Sequence, residues 1–412
     1  GARDQEGPIT TDIGRTNAKA SSWTYCEEFV PEEEILPLVR SSADSLVRLF
    51  RSYAERLAGV KEDQEGGLKN DAAAVNDILK GIQTLNENIQ KSELYGDNAL
   101  ELRDQRNLLI DQLSKYMKID VTYEPVSVGA GKTVDKLVIK TARLAGQPQT
   151  TLVDGGYVGQ LSLGEENGLR ANPTYDPDAD PSVTDPAILL PYLDADGNPA
   201  DAASAAKLPY ALTVSELRDR NNAVLKDSKA HQFGDTELYG GLQAKRELLT
   251  EAGEFAAADM AKLDTGYATK RGIPYYQHAL DALAQKFASV MNAANTDYLY
   301  DSDGHYVDSA GAKILDAGGD PISRENPLTP ATKTYLDGND GQLRGGNLFS
   351  NSSDGDEAAG ITAGNISISA SWATSPRFLQ NSFQVLDGKT AVGSSDNQNI
   401  IHMLARFDGK QD

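Results

Sequence analysis

Residue types that can do chemistry are present in this chain, but their spacing does not assemble a reactive site. The four histidines, His231, His278, His305 and His402, are scattered, and none joins the His-Glu-x-x-His pattern that sets two imidazoles on one helix face for zinc. One cysteine, Cys26, excludes an internal disulfide and a cysteine-based zinc centre. It follows Trp23 and Tyr25 in an unpatterned stretch and reads as a buried or inert thiol rather than a nucleophile. No Gly-x-Ser-x-Gly elbow, Walker phosphate loop or Gly-x-Gly-x-x-Gly turn occurs. Two carboxylates could flank a glycosidic bond, but with 61 Asp and Glu any pair can be picked, and 7% aromatic residues give little sign of a sugar-stacking cleft. No catalytic residue, metal ligand or cofactor is therefore expected.

Three segments alternate Asp with Gly in the manner of a calcium loop: 193–199 (LDADGNP), 300–306 (YDSDGHY) and 315–321 (LDAGGDP). An EF-hand needs Gly at position six and Glu at twelve. Counting from Asp301 or Asp194, position six is Tyr306 or Pro199. The segments read instead as hairpin turns. A net charge of −22 repels phosphate backbones and anionic lipid alike, so neither nucleic acid nor membrane is an expected partner. No apolar run is long enough to span a bilayer, no signal pattern opens the chain, and a soluble protein is expected.

A chain of 412 residues exceeds one usual core, so several domains are expected. Residues 1–30 show no apolar period and read as irregular. Pro31 and Glu32 to Glu34 mark a helix start, after which Leu36, Val39, Ala43, Leu46, Phe50, Tyr53 and Leu57 form a coiled-coil-like seam. Val75, Ile78, Ile82, Leu85 and Ile89 make a second run. Gly66 and Gly67 between the two leave open either a turn or one long helix. A third helix has Asn98 as its cap, Glu101 completing a capping box, and Leu102, Leu109, Leu113 and Tyr116 as its seam. These runs read as an antiparallel bundle.

Alternation begins at Ile119, Val121 and Tyr123 and continues past a Gly-rich turn at Gly129 to Gly131 into Leu137, Val138 and Ile139. Helical periodicity returns at Gly240-Gly241-Leu242 and after Pro274, with Tyr276, Leu280, Leu283, Phe287, Val290 and Ala294 in the seam. The fold class is α+β multidomain: a discontinuous coiled-coil-like helical bundle with an inserted β-rich domain. The expected segments are 1–30 irregular, 31–118 and 236–298 helical, 119–235 the β-rich insertion, 299–345 a small turn-rich β insertion, and 346–412 a return to the helical domain.

Residues 98–114 (NALELRDQRNLLIDQLS) resemble the Leu-x-Asp-Gln-Arg-Asp-x-Leu-x-x-x-Leu-Ser helix of the flagellar hook-associated protein 1 family. In the order of that family, Gly240-Gly241-Leu242, Leu280-Asp281-Ala282-Leu283-Ala284 with Phe287 and Asn292, the strand at Asn365-Ile366-Ser367-Ile368, and Asp396-Asn397-Gln398-Asn399 follow. The resemblance covers roughly residues 35–125 and 236–412, and the chain reads as a fragment without the terminal polymerisation helices.

The resemblance implies a secreted structural axial protein that joins hook to filament, is exported through the flagellar type III pathway and has no enzymatic activity. It also implies hook protein, the second junction protein, copies of itself and, for the full-length protein, an export chaperone as partners. Leu102, Arg103, Asp104, Gln105, Arg106, Leu109 and Leu113 are the motif residues, structural or in subunit contact. For Arg103, Asp104 and Arg106 the solvated or intramolecular reading is preferred to intersubunit ion pairs. The competing readings are flagellin or a hook-like protein, and a soluble carbohydrate-binding or adhesive surface protein.

Overall fold

The computed structural model describes residues 32–129, 132–143, 149–180, 182–234, 237–301, 303–323, 329–380 and 403. The expectations placed on residues 1–30, Pro31, Cys26, the centre of the 129–131 turn, Asp396 to Asn399 and His402 lie outside them. Two compact units divide the chain, Leu57–His278 and Gly1–Arg56 with Ala279–Asp412.

The first helix, α1 (Glu32–Leu94), is one helix of 63 residues that passes through Gly66 and Gly67. A Cβ on Gly66 would touch nothing, and one on Gly67 would meet only the flexible end of Lys245, with Nζ at 3.3 Å, so the helix tolerates both glycines at about 1 kcal/mol each. The bundle of three runs is thereby corrected to a long helix and one partner, α2 (Leu100–Tyr116). Asn98 does not cap α2. Ala99 occupies the N-cap in a left-handed conformation (φ 49°) without a side-chain cap, and Asp97 Oδ1 accepts from its N–H at 3.2 Å. At Gly81 a Cβ would sit 2.8 Å from Leu109 Cδ1, so glycine is what lets α2 lie this close to α1.

In the Leu57–His278 unit, β1 (Ile119–Gly129), β2 (Lys132–Thr141), β3 (Thr151–Asp154) and β4 (Tyr157–Val158) form an antiparallel sheet in that order. Ala142 N donates to Lys118 O, and with Asp120 opposite Lys140 the even-numbered residues of β1 bond β2. Odd-numbered Pro125 therefore turns its missing N–H to the free edge, where proline is tolerated and blunts further pairing.

A second sheet pairs β5 (Leu161–Leu163) with residues farther along. Between its strands come α3 (Pro186–Leu189) and the hairpin β6 (Tyr192–Leu193) and β7 (Pro199–Ala200); β8 (Leu212–Val214) and β9 (His231–Gln232) then complete the order β5-β8-β9. After α4 (Gly241–Thr250) and the short α5 (Met260–Leu263), α6 (Ile273–Asn295) leaves the unit.

Val75, Leu79 and Ile82 of α1, Leu113 of α2, Leu137, Ile139, Leu152 and Val153 of the sheet, and Leu242 and Leu249 of α4 share one core. The inward residues of β2 and β3 are covered by the helices, as in a layer of sheet packed on helix. The compact units divide the chain inside α1 and α6.

The other unit centres on a chain of rings: Phe50 to Phe287 at 6.1 Å, Phe287 to Phe349 at 4.9 Å and Phe349 to Trp372 at 5.6 Å between centroids. Its remaining elements are β10 (Thr296–Tyr298), α7 (Pro330–Gly338), β11 (Leu343–Gly345), β12 (Phe349–Ser350), β13 (Ser367–Ile368) and α8 (Ala370–Thr374). The seam differs from expectation at Tyr53, Leu283 and, in the first unit, Tyr276, which are exposed at 47%, 59% and 52%. Ala284 and Ala288 are fully buried in their stead, because the closest helix contacts admit only small side chains.

Candidate functional site

Asp301, Asp303 and His305 bring three ligand-type atoms within 4.8 Å of one another, the best metal-like grouping among the described residues. Its donors are already engaged. Asp301 Oδ1 accepts from the N–H groups of Asp303 and His305, both at 2.9 Å. Lys313 Nζ stands 3.2 Å from Asp301 Oδ2, 3.3 Å from Asp303 Oδ2 and 3.0 Å from His305 Nδ1. An ammonium thus sits where a cation would, and the segment is a turn. His231 Nε2 lies 2.6 Å from Glu237 Oε2; burial opposes ionisation of Glu237, but this hydrogen bond holds its carboxyl below the usual range. His278 stacks on Phe255.

The same turn recurs more often than the sequence reading saw. At Asp194, Asp219, Asp301, Asp308 and Asp316 the Asp N–H donates to the carbonyl four residues on, and the Asp carbonyl accepts from the N–H three residues on. Each fourth residue is left-handed: Gly197, Asn222, Gly304, Gly311 and Gly319, with φ of 87°, 65°, 82°, 83° and 88°. Three of these turns follow one another at intervals of seven and eight residues, at Asp301, Asp308 and Asp316. Tyr306, Ile314 and Ile322, eight apart, close a ring of backbone bonds, 306 N to 322 O, 314 N to 306 O and 322 N to 314 O. The missed signal was Asp-x-x-Gly repeated at those intervals.

The motif helix α2 is the site that the sequence singled out, and its residues part into two sets. Leu113 is fully buried, and Leu102 and Leu109 are half-buried. Arg103 pairs with Glu93 at the end of α1. Arg106 is only 3% exposed. Its Nη1 donates to Asn86 Oδ1 at 2.9 Å, and its guanidinium lies 5.4 Å from the centre of the Tyr123 ring. Burial pulls the Arg106 pKa down.

Asn86 in turn donates from Nδ2 to Gly155 O at 2.7 Å, and Gln83, one turn earlier, donates to Gly156 O at 2.8 Å and Arg218 O at 3.0 Å. The motif arginine thus begins a relay that fastens the turn between β3 and β4 to the helices. Beside it lies a cleft of about 330 Å³ lined by Arg106, Glu93, Lys136, Asp154, Ile89 and Val126, among others. Lys136 spans it to Asp154 at 2.6 Å and to Glu124 at 3.0 Å. Asp104 and Gln105 are exposed.

Residues 37–179 match the model of the flagellar hook-associated protein FlgK helical domain. Over these residues the chain is similar to the flagellar hook-associated protein FlgK family. A relative, flagellar hook-associated protein 1 of Bacillus subtilis (strain 168), is 30% identical over 117 residues, which are 28% of this chain and 23% of that protein. The flagellar hook junction protein FlgK from Burkholderia pseudomallei aligns with 84% of this chain and 41% of its own at 17% identity and a TM-score of 0.38. Both relatives are thus spanned over less than half of their length.

Within the hook-associated family domain, the charged pair Arg103 and Arg106 is turned inward, whereas Asp104, Gln105 and Leu108, the last 59% exposed, face outward. Leu280-Asp281-Ala282-Leu283-Ala284 lies on α6, whose Asn292 meets the backbone of Phe349 twice, donating to O and accepting from N, both at 2.8 Å. No helix among the described residues is long and apolar enough to cross a membrane.

Proposed function

We propose that this chain is the body of a structural axial protein that joins the flagellar hook to its filament, without enzymatic activity. The family helical domain across residues 37–179 supports this reading above all. On this reading the protein leaves the cell through the flagellar type III pathway and works extracellularly in a ring of its own copies, between hook protein and the second junction protein. The export chaperone belongs to the full-length protein. The expected domain pattern of helical parts with a β-rich insertion is retained as part of the proposal.

Gln105 and Leu108 are proposed as the part of α2 that meets a neighbouring copy, since the inward residues of the motif are engaged within their own chain. Deleting the gene in the source bacterium is expected to leave hooks without filaments and to release filament protein into the medium, seen by electron microscopy and immunoblotting. Normal filaments in the deletion strain would overturn the junction reading. Cysteine pairs placed at Gln105 and Leu108 are expected to crosslink between copies in isolated flagella, and an absence of intersubunit crosslinks would remove the contact assignment alone.

A further inference from the structure

Between α4 and α6 the chain makes an excursion, residues 252–271, whose ends meet. Ala252 and Arg271 form a bridge, and Gly272 N donates to Glu251 O at 2.8 Å. This neck is tight. A Cβ on Gly272 would lie 2.6 Å from Leu248 O and 2.7 Å from Glu247 O, so no side chain fits there. Gly253 at the other end is left-handed with φ 56°, and its Cβ would strike the Tyr275 ring at 2.9 Å.

Such a closed-ended segment resembles an Ω-loop, usually held by its own side chains, but is longer and includes α5. Here the hold is polar. The buried apolar core of the unit includes Leu249 and Ile273 on either side but no described residue between them. Inside the excursion the backbone bonds are local, from residue to third or fourth neighbour, as at Phe255, Met260, Asp264 and Lys270. Among its large apolar side chains, Phe255 remains 39% exposed while resting on Tyr275, and Met260, Leu263 and Tyr267 are only half-buried.

What fixes the segment is Lys270. Its Nζ stands 2.8 Å from Asp264 Oδ2, 3.1 Å from Glu247 Oε1 and 3.8 Å from Glu251 Oε1. Glu251 and Asp264 are buried, at 3% and 6% exposure. These three carboxylates are the charged groups that face Lys270 from α4, from its C-terminal end and from the excursion itself. Burial opposes the charge on Lys270, but the bonds to Asp264 and Glu247 hold its pKa above the ordinary lysine value. Two buried carboxylates left without that ammonium would be costly.

We propose that residues 252–271 form a strap that opens as a unit while the rest of the Leu57–His278 unit stays folded, with Lys270 as its latch. Opening breaks the Lys270 cluster, the Phe255 contact, the exposed pair of Lys262 with Asp196 at 2.7 Å and the neck. It exposes almost no core, which places it at the low end of local opening energies.

Hydrogen exchange of the 412-residue chain, read by mass spectrometry at increasing urea below the unfolding transition, tests this. Strap peptides covering Asp264 to Lys270 are expected to exchange at least about tenfold faster than peptides from α4 and the buried half of α6, with little urea dependence. Lys270→Met is expected to raise strap exchange about tenfold more, while Lys270→Arg stays near wild type. A strap that shares the urea dependence of α4 and α6 would overturn the proposal without need of a variant. So would a folded Lys270→Met protein whose strap exchanges at the wild-type rate.

Discussion

Asp301, Asp308 and Asp316 each spend one carboxylate oxygen on two backbone N–H groups of their own turn. That resembles an N-cap, where loss of the acceptor costs about 1 kcal/mol. Asp308→Ala is therefore expected to lower the unfolding free energy by about 1 kcal/mol, measured by urea denaturation. Gly311→Val, which forces a β-branched residue into a left-handed conformation, is expected to cost about 1–2 kcal/mol. Equal stability of both variants with wild type would mean that the turn does not depend on these residues.

Asp301 adds a pH dependence. Burial opposes its charge, but the His305 N–H and Lys313 hold its carboxyl below the ordinary value. Its stabilisation is then complete above the unfolded value of about 3.9 and is lost as pH falls through the lower folded value. A carboxyl carbon NMR titration should place the Asp301 midpoint below that of an unfolded peptide, and Lys313→Met should move it upward. The turns themselves were legible because Asp-x-x-Gly is a local pattern. Asp219 was missed because asparagine stands in the glycine place, and Asp308 because the recurrence of Asp-x-x-Gly between Asp301 and Asp316 was not followed.

At the scale of elements, the same device holds strands to helices in both units. Asn76 of α1 donates to Leu161 O at 2.8 Å and accepts from Leu161 N at 2.7 Å, and Asn292 of α6 does the same with Phe349. An amide side chain thereby takes the place of a neighbouring strand, satisfying a buried N–H and C=O that short strands leave open. Asn292→Ala would orphan both groups of Phe349 within the core. At about 1–3 kcal/mol for a buried group left unsatisfied, a loss of about 3 kcal/mol is expected from denaturation. Asn292→Asp, which keeps an acceptor but removes the donor, should not restore the stability. A loss below about 0.5 kcal/mol would show that water replaces the amide without penalty.

The sequence made the helices legible through their apolar periods, but it could not reveal this role. An asparagine on an otherwise apolar stripe reads the same whether it faces solvent or a strand edge. Arg106 illustrates the same difficulty. Its motif pointed to the right helix, yet Arg103 and Arg106 differ in fate from Asp104 only through where each lies around α2. The capping box failed for a local reason, since Gly96 and Asp97 already turn the chain and leave Ala99 rather than Asn98 at the cap.

At the scale of the whole molecule, the two larger of three apolar clusters among the described residues share no residue, one around Leu79, Leu137 and Phe233 and the other around Phe287, Phe349 and Trp372. The sequence reading grouped helices with helices because their seams looked alike. Yet a seam shows only that a face is buried and not which partner buries it, so the sequence could not assign each seam to its core.

Separate cores give a testable consequence. Trp372 is fully buried and edge-on to Phe349 at 5.6 Å, so in a Trp23→Phe background its fluorescence reports one core alone. Phe349→Ala should cost about 3–5 kcal/mol and Leu137→Ala about 2–5 kcal/mol, each within its own core. If the cores unfold separately, Phe349→Ala shifts the fluorescence transition in urea and leaves hydrogen exchange in β2 and α4 at its wild-type rate. Leu137→Ala then does the converse. Should both variants move both signals by the same free energy, the continuous helices α1 and α6 couple the two cores into a single cooperative transition.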